Sequence, residues 1–236
     1  MGNVAALTAL LVQLAAPAVQ TPGVHSAPMK RATLPAEGRA DYLVAYVKDG
    51  RAVTLRSRPN GRSIGALGTR TVYGSRLALP VVRMRDSRWL GVVSAAMPNG
   101  RLGWIDANSG ALAFDRVGVT LETDLSARLL RVWSGRRVLR RIRIGIGRAG
   151  SHTPTGRFSI TDKLRGPNYG SYYGCCILAL SGHQPNTPRG WTGGARLAIH
   201  GGALGSVSAG CLHASARDLR YLMRVVPLGT QVRIHA

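Results

Sequence analysis

Apolar and polar positions alternate with a period of two along most of this chain, in runs too short for helices. Between residues 41 and 115 the runs Leu43–Val47, Leu77–Val82 and Trp89–Val93 are separated by Asp49-Gly50, Pro59-Asn60-Gly61 and Asn99-Gly100. Those are turn signals, so the segment reads as a small all-β domain. A second block, 117–236, opens with alternation at Val119, Leu121 and Thr123. Strands are predicted at Leu129–Trp133 and Val138–Ile146 around the turn Ser134-Gly135, then at Arg157–Thr161, Ile177–Leu180 and Gln231–Ile234. Within Val138–Ile146, Ile142, Ile144 and Ile146 share one face, while Arg141 and Arg143 share the other. One stretch has a different period. Leu219, Leu222, Met223 and Val226 recur at i, i+3, i+4 and i+7, the stripe of an amphipathic helix. Ser215 with Asp218 is close to a capping box in front of it, and Pro227 and Gly229 end it.

Ahead of these blocks, Val4 to Val19 is uncharged and apolar apart from Thr8 and Gln13, and it ends in Ala16-Pro17-Ala18, a signal-peptide-like pattern without a basic n-region. Pro22, Pro28 and Pro35 mark a linker up to about residue 40. A secreted, periplasmic or wall-associated protein is the expectation. The 236 residues carry 32 Lys and Arg against 10 Asp and Glu, a formal net charge of +22. Lys30, Lys48 and Lys163 are the lysines; the rest of the positive charge is arginine. Such a chain is drawn to polyanions. The arginines are spread, and no helix-turn-helix, zinc-finger or RNA-binding aromatic pattern accompanies them, so nucleic acid is not expected as the partner. In the second block the carboxylates are Glu122, Asp124, Asp162 and Asp218, which disfavours a paired-carboxylate hydrolase. No GxxxxGK[ST] loop is present for nucleotide phosphates.

The chemistry concentrates in Ile199-His200-Gly201-Gly202-Ala203-Leu204-Gly205-Ser206-Val207-Ser208-Ala209-Gly210-Cys211-Leu212-His213. A thiol is a nucleophile as thiolate, and a neighbouring imidazole can take its proton. Glycines beside it let backbone N–H groups approach a reacting carbonyl oxygen. Cys211 with His200 therefore reads as a cysteine acyl-transfer pair. A small buried thiol is the plainer reading of the same cysteine. His200, Cys211 and His213 lack the short paired spacings of a zinc site, so neither metal nor cofactor is expected. Cys175 and Cys176 are adjacent, and either two buried thiols or a vicinal bridge fits the sequence.

Taken in order, three motifs make residues 117–236 resemble the L,D-transpeptidase (YkuD-like) catalytic domain. They are Thr153-Pro154-Thr155-Gly156-Arg157-Phe158, Ile199-His200-Gly201 and Ser208-Ala209-Gly210-Cys211-Leu212-His213, and Pro227-Leu228-Gly229-Thr230-Gln231-Val232 matches the closing passage. Val53-Thr54-Leu55-Arg56-Ser57-Arg58-Pro59, Trp89-Leu90-Gly91-Val92 and Gly103-Trp104-Ile105 resemble a bacterial SH3-like domain. The implied fold is mainly β: an SH3-like small β-barrel over 41–115, then a β-sandwich-like catalytic domain over 117–236 with one helix after the nucleophile. The implied activity is peptidoglycan cross-linking through a cysteine acyl-enzyme, with transfer to water giving an L,D-carboxypeptidase. Cys211 would attack, His200 would act as base, and Gly201 and Gly210 would orient the base and serve the oxyanion. Ser208, His213, Tyr173 and His183 are the implied substrate contacts. Peptidoglycan stem peptides, anionic cell-wall polymers and carbapenem-type β-lactam inhibitors are the implied partners, with the protein a monomer.

The chain departs from the family pattern at Ala209, where a histidine is usual, and at His213, where Arg or Asn is usual. The His200–Cys211 loop is also short. The alternatives are a catalytically impaired wall-binding protein and another cell-wall cysteine peptidase. The order His200 before Cys211 argues against the latter.

Overall fold

The computed structural model of the chain describes residues 41–191 and 194–236. The signal-like segment and linker over 1–40, with His25, lie outside the described residues. The alternating runs of the first block become β1 (Tyr42–Val47), β2 (Val53–Arg56), β3 (Ser63–Leu67), β4 (Ala78–Arg85), β5 (Trp89–Val92), β6 (Gly103–Asp106) and β7 (Leu112–Val117). They form one antiparallel sheet in the order β3-β2-β6-β5-β4-β1-β7. Its core gathers Ala45, Val47, Leu55, Leu79, Leu90 and Ile105.

The second block supplies β8 (Val119–Asp124), β9 (Leu129–Ser134), β10 (Arg137–Arg143), β11 (Ile146–Gly147), β12 (Gly156–Arg165), β13 (Cys176–His183), β14 (Arg196–His200), β15 (Ser206–Ser208), β16 (Leu212–His213) and β17 (Gln231–His235). Eight of these make a sheet in the order β10-β9-β8-β17-β12-β13-β14-β16, and β11 pairs with β15 alongside it. The β8–β17 and β14–β16 pairings are parallel. Leu121, Leu130, Val132, Ile142, Phe158, Val232 and Ile234 point to one face and share a core with the helix α1 (Ala216–Val225). That helix begins where the sequence places it: Ser215 Oγ accepts the Asp218 N–H at 3.2 Å, and Leu219 and Leu222 are buried. Such a cap stabilises a helix by about 1 kcal/mol. The mainly-β reading with one helix after the cysteine holds.

The predicted strand Val138–Ile146 is interrupted. Ile142 and Ile144 are buried and Arg141 and Arg143 exposed as expected, but β10 ends at Arg143. At Gly145 the chain leaves β9 and exchanges backbone hydrogen bonds with His213, 2.9 Å each way. A Cβ at Gly145 would fall 2.5 Å from the Ala203 carbonyl oxygen, so only glycine allows this crossing. Elsewhere strands run longer than predicted. β12 continues through Asp162, whose carboxylate accepts from Thr71 in the loop between β3 and β4 and is fully buried. A polar residue there breaks the apolar pattern without breaking the strand.

The two sheets meet through Tyr42. Its hydroxyl donates to the Val119 carbonyl at 2.8 Å and accepts the Gln231 N–H at 2.8 Å, while Val44, Ala78 and Val117 pack around it. Tyr42→Phe keeps the packing and strands both backbone groups. We expect it to lower stability by about 1–3 kcal/mol, the cost of buried unsatisfied groups, read as a lowered urea midpoint. An unchanged midpoint would remove Tyr42 Oη from the account of how the sheets are joined.

Candidate active site

Site geometry follows from one parallel register. β14 and β16 pair Ile199 with Leu212 and His200 with His213. Cys211, one residue before Leu212, therefore comes level with Ala198, on the strand that ends in His200. The three side chains that the sequence singles out are brought together by that pairing. Cys211 and His200 line one cleft with Tyr172, Tyr173, Trp191 and Ala209.

His200 is buried, at 1% exposure. Its Nδ1 lies 2.6 Å from the Gly201 carbonyl oxygen. A carbonyl only accepts, so Nδ1 carries the proton and Nε2 keeps the lone pair of a base. Gly201 thus orients the imidazole through its carbonyl. Its N–H donates to the Tyr173 carbonyl at 2.9 Å, and a Cβ there would come 3.0 Å from both Gly174 Cα and that carbonyl oxygen. Tyr173 and Tyr172, on the helical turn Ser171–Tyr173, set their rings 4.9 and 5.4 Å from the imidazole. Burial, with the neighbouring His213, pushes the His200 pKa down to about 4, and the bond to Gly201 opposes this.

Cys211 is a free thiol. Sγ lies 3.9 Å from the Arg196 carbonyl, which accepts its proton, and burial pushes the pKa up to about 11 against a hydrogen bond from the Ala198 backbone. Both shifts favour a neutral thiol beside a neutral imidazole. The turn presenting the thiol is braced from inside. Ser208 Oγ donates to the Cys211 carbonyl at 2.6 Å and accepts the Gly210 N–H at 3.0 Å. Ser208 is buried and its hydroxyl is engaged within the turn. Gly210 has φ +114°, and its own N–H is the one taken by Ser208.

His213 is buried behind His200, ring centroids 4.7 Å apart. Its Nδ1 donates to the Ala203 carbonyl at 2.9 Å, and its Nε2 lies 3.5 Å from Tyr172 Oη. His183 stands apart from the group. It pairs in register with Arg196, four residues before His200, or roughly 13 Å along the strand. Burial and the Arg196 charge hold its pKa below the usual range. Its backbone is clasped by Asn99 in the loop between β5 and β6, with the Asn99 side chain donating at 2.6 Å and accepting at 2.9 Å. Cys175 and Cys176, open from sequence, form a vicinal disulfide at the start of β13.

Two residues carry the site without a sequence signal. Gln184 is buried, and its Nε2 donates to the Ala209 and His152 carbonyls at 3.0 Å and the Ser151 carbonyl at 3.3 Å. It ties the nucleophile turn to the loop after β11. A Cβ at Gly210 would lie 2.0 Å from Gln184 Nε2, a second reason for glycine there. Arg196 donates through Nε and Nη2 to the Leu180 carbonyl, at 3.0 and 2.6 Å, and through Nη2 to Thr161 Oγ1 at 2.9 Å. The β13–β14 register shifts between Ala179 and His183, and the guanidinium satisfies the carbonyl beside that shift. The short His200–Cys211 loop closes through glycines: Gly202 and Gly205 have φ of +143° and +125°, and the Gly205 carbonyl accepts the Ile146 N–H at 2.6 Å.

A family model for the L,D-transpeptidase catalytic domain matches residues 118–234. Two curated relatives bear the name L,D-transpeptidase YkuD. The one from Bacillus licheniformis is 30% identical over 51% of this chain and 67% of its own length. The one from Bacillus subtilis is 29% identical over 49% of this chain and 65% of its own length. The chain thus spans about two thirds of each relative. Among solved structures, an L,D-transpeptidase from Mycobacterium smegmatis aligns at 17% identity over 67% of this chain and 82% of that one, with a TM-score of 0.40. With that family model running from β8 into β17, across His200 and the turn that carries Cys211, and with a relative 30% identical over 67% of its length, the chain belongs to the L,D-transpeptidase (YkuD) family.

Proposed function

We propose that this protein cross-links peptidoglycan stem peptides through a thioester on Cys211. The observation that carries the reading is the shared cleft. There an imidazole whose Nδ1 is fixed by Gly201 keeps Nε2 as base, on the strand that runs beside a free thiol. The thiol gives its proton to His200 Nε2 as sulfur attacks the carbonyl before the terminal D-alanine of a donor stem. Charge develops on the carbonyl oxygen. With the Gly210 N–H already held by Ser208, the reading assigns that oxygen to the Cys211 N–H. The imidazolium then protonates the departing amine, the C–N bond breaks, and a thioester remains. The amine of a neighbouring stem loses a proton to His200 and displaces Cys211, which restores the thiol. Water in place of the amine gives carboxypeptidase turnover.

In this reading Tyr173 and Trp191 flank the bound stem, and residues 41–115 form an SH3-like accessory domain. His213 backs the base rather than replacing it. The protein acts outside the cytoplasm as a monomer, for which the Cys175–Cys176 disulfide supports an oxidising compartment.

Incubation with a carbapenem is expected to give a single covalent adduct by intact mass, absent from Cys211→Ala. An adduct that survives in that variant would end the reading. His200→Gln should lose about 10²–10⁴-fold in acylation rate, the usual share of a general base.

Two shifts set the pH dependence. A thiol with its pKa near 11 is protonated at neutral pH, so alkylation by iodoacetamide should climb with pH toward about 11. A plateau between pH 5 and 8 would instead mean a preformed thiolate–imidazolium pair. Acylation by substrate-like acyl donors needs neutral His200, so it should hold as pH falls below 6 and decline only near 4.

Gln184→Leu fills similar space and removes the donors that hold Ala209. We expect a fall in kcat of about 10–100-fold, from misplacement of the nucleophile, with KM little changed. Equal activity would show that Ser208 and Gly210 hold the turn unaided.

A further inference from the structure

The floor of the cleft is one face of the large sheet, and cross-strand register traces that floor outward from the thiol. Asp162 on β12 lies opposite Ala179 on β13, and Ala179 lies opposite Ala198 on β14. Cys211 comes level with Ala198 on the far side of β14. These four residues share a face, because Leu178, Leu197, Ile199 and Leu212 point into the core on the other side. The line from Cys211 to Asp162 is roughly 14 Å long at the usual strand spacing of about 4.8 Å. At one end stands the turn that carries Cys211. At the other end, over Asp162, stands the hairpin between β3 and β4 of the first sheet.

That hairpin is braced from within. The Leu77 N–H donates to the Thr69 carbonyl at 2.8 Å, the Thr71 N–H to the Ser75 carbonyl at 2.9 Å and the Gly74 N–H to the Thr71 carbonyl at 3.0 Å, and Gly74 turns the chain at φ +86°. Thr71 Oγ1 donates to the buried Asp162 carboxylate and accepts the Tyr73 N–H at 3.2 Å, which fixes the apex over β12. Tyr73 is thereby set against the cleft. Its ring centroid lies 6.0 Å from the Arg196 guanidinium, and Arg196 lines the cleft. The ring meets Tyr169 edge-on, centroids 6.1 Å apart. Tyr73 is also close enough to Tyr173, another lining residue, to add to the effect of burial and of Cys211 in raising the Tyr173 phenol pKa. With 38% of its surface exposed, the Tyr73 side chain keeps part of an aromatic face free beside the groove.

We propose that this hairpin is the far wall of the substrate groove, and that Tyr73 is a specificity-determining contact for a stem peptide that extends from Cys211 across β14 and β13. The occupant follows from continuity with the cleft. The groove begins at the thiol, so whatever reaches Tyr73 is the remote part of the molecule whose carbonyl the thiol attacks. Roughly 14 Å is the reach of about four extended residues. A stem peptide spans that length, and a compact bicyclic carbapenem does not. The first sheet then takes a direct part in choosing the donor. This deepens the transpeptidase reading above and rests on it.

The test compares acyl donors of two sizes on the full chain. Tyr73→Ala should raise KM for a stem tetrapeptide about tenfold with kcat within about threefold, the pattern of a lost binding contact. Carbapenem acylation should change by less than about threefold in the same variant. Tyr73→Phe keeps the ring and should recover the tetrapeptide KM to within about threefold of native. Leu139→Ala, at a similarly exposed apolar position on β10, is the control and should alter neither donor. Binding is separated from turnover by calorimetry with the tetrapeptide in the Cys211→Ala background, where adding Tyr73→Ala should raise Kd about tenfold. An unchanged tetrapeptide KM and Kd would overturn the proposal. Equal losses with both donors would also overturn it, since the hairpin would then only support the sheet. A native chain that neither turns over tetrapeptide nor reacts with carbapenem, yet shows the Kd difference, would count against the transpeptidase reading and leave the groove wall standing.

Discussion

Cys211 and His200 are brought together by the pairing of β16 with β14, a parallel contact only two residues long on one side. A register slip by one residue would turn every β16 side chain to the other face. Leu212 would leave the core, and Cys211 would no longer stand level with Ala198. So short a strand has few ladder bonds of its own, and its register is fixed from outside. Leu212 is buried in the main cluster. The Ala214 N–H reaches the His200 carbonyl at 2.9 Å, and Gly145 bonds His213 in both directions. Ser208 and Gln184 then shape the turn that precedes it. The placement of Cys211 beside the His200 strand therefore rests on several weak backbone and side-chain ties spread over distant segments.

Burial is the second constraint, and it acts on both partners in one direction. The thiol is pushed up and the imidazole down, so the resting site holds no ion pair. That arrangement has a chemical consequence. Thiolate nucleophilicity rises with thiol basicity, so a buried sulfur that loses its proton only as it attacks is stronger than a pre-ionised one. The cost is a small thiolate population at rest, which proton transfer to Nε2 would offset under the proposed mechanism. A carboxylate behind the histidine would raise its pKa and favour the ion pair. Here the partner of Nδ1 is the neutral carbonyl of Gly201, which orients the ring while leaving the neutral state preferred.

Much of this was legible in the sequence because it follows from periodicity and turn chemistry. The helix after the cysteine, its Ser215 cap and the alternation in β8 and β10 are local facts, settled by nearest neighbours along the chain. What escaped prediction depends on contacts far apart in sequence. Gln184 reads as an ordinary polar residue at the end of an apolar strand, and its role exists only because Ala209 and the 151–152 segment fold onto it. Arg196 looks like one more arginine in an arginine-rich chain until the β13–β14 register shift leaves the Leu180 carbonyl in need of a donor. Gly145 interrupts a strand that alternation alone would continue, because the Ala203 carbonyl comes too close for a Cβ. The pairing of His183 with Asn99, and of Tyr42 with Val119 and Gln231, likewise joins segments that no local pattern connects.

The charge excess sorts itself by the same logic. Some arginines are absorbed by the fold. Arg140 lies 2.7 Å from Asp218 and over the Tyr221 ring, Arg88 lies 2.6 Å from Asp106, and Arg76 covers Tyr46. Their stems also shield apolar surface, so they contribute packing as well as charge. Exposed pairs of this kind contribute little to stability, and thirty-two cations stand against ten carboxylates in the sequence. Self-repulsion of that size favours spreading the charge evenly over the surface.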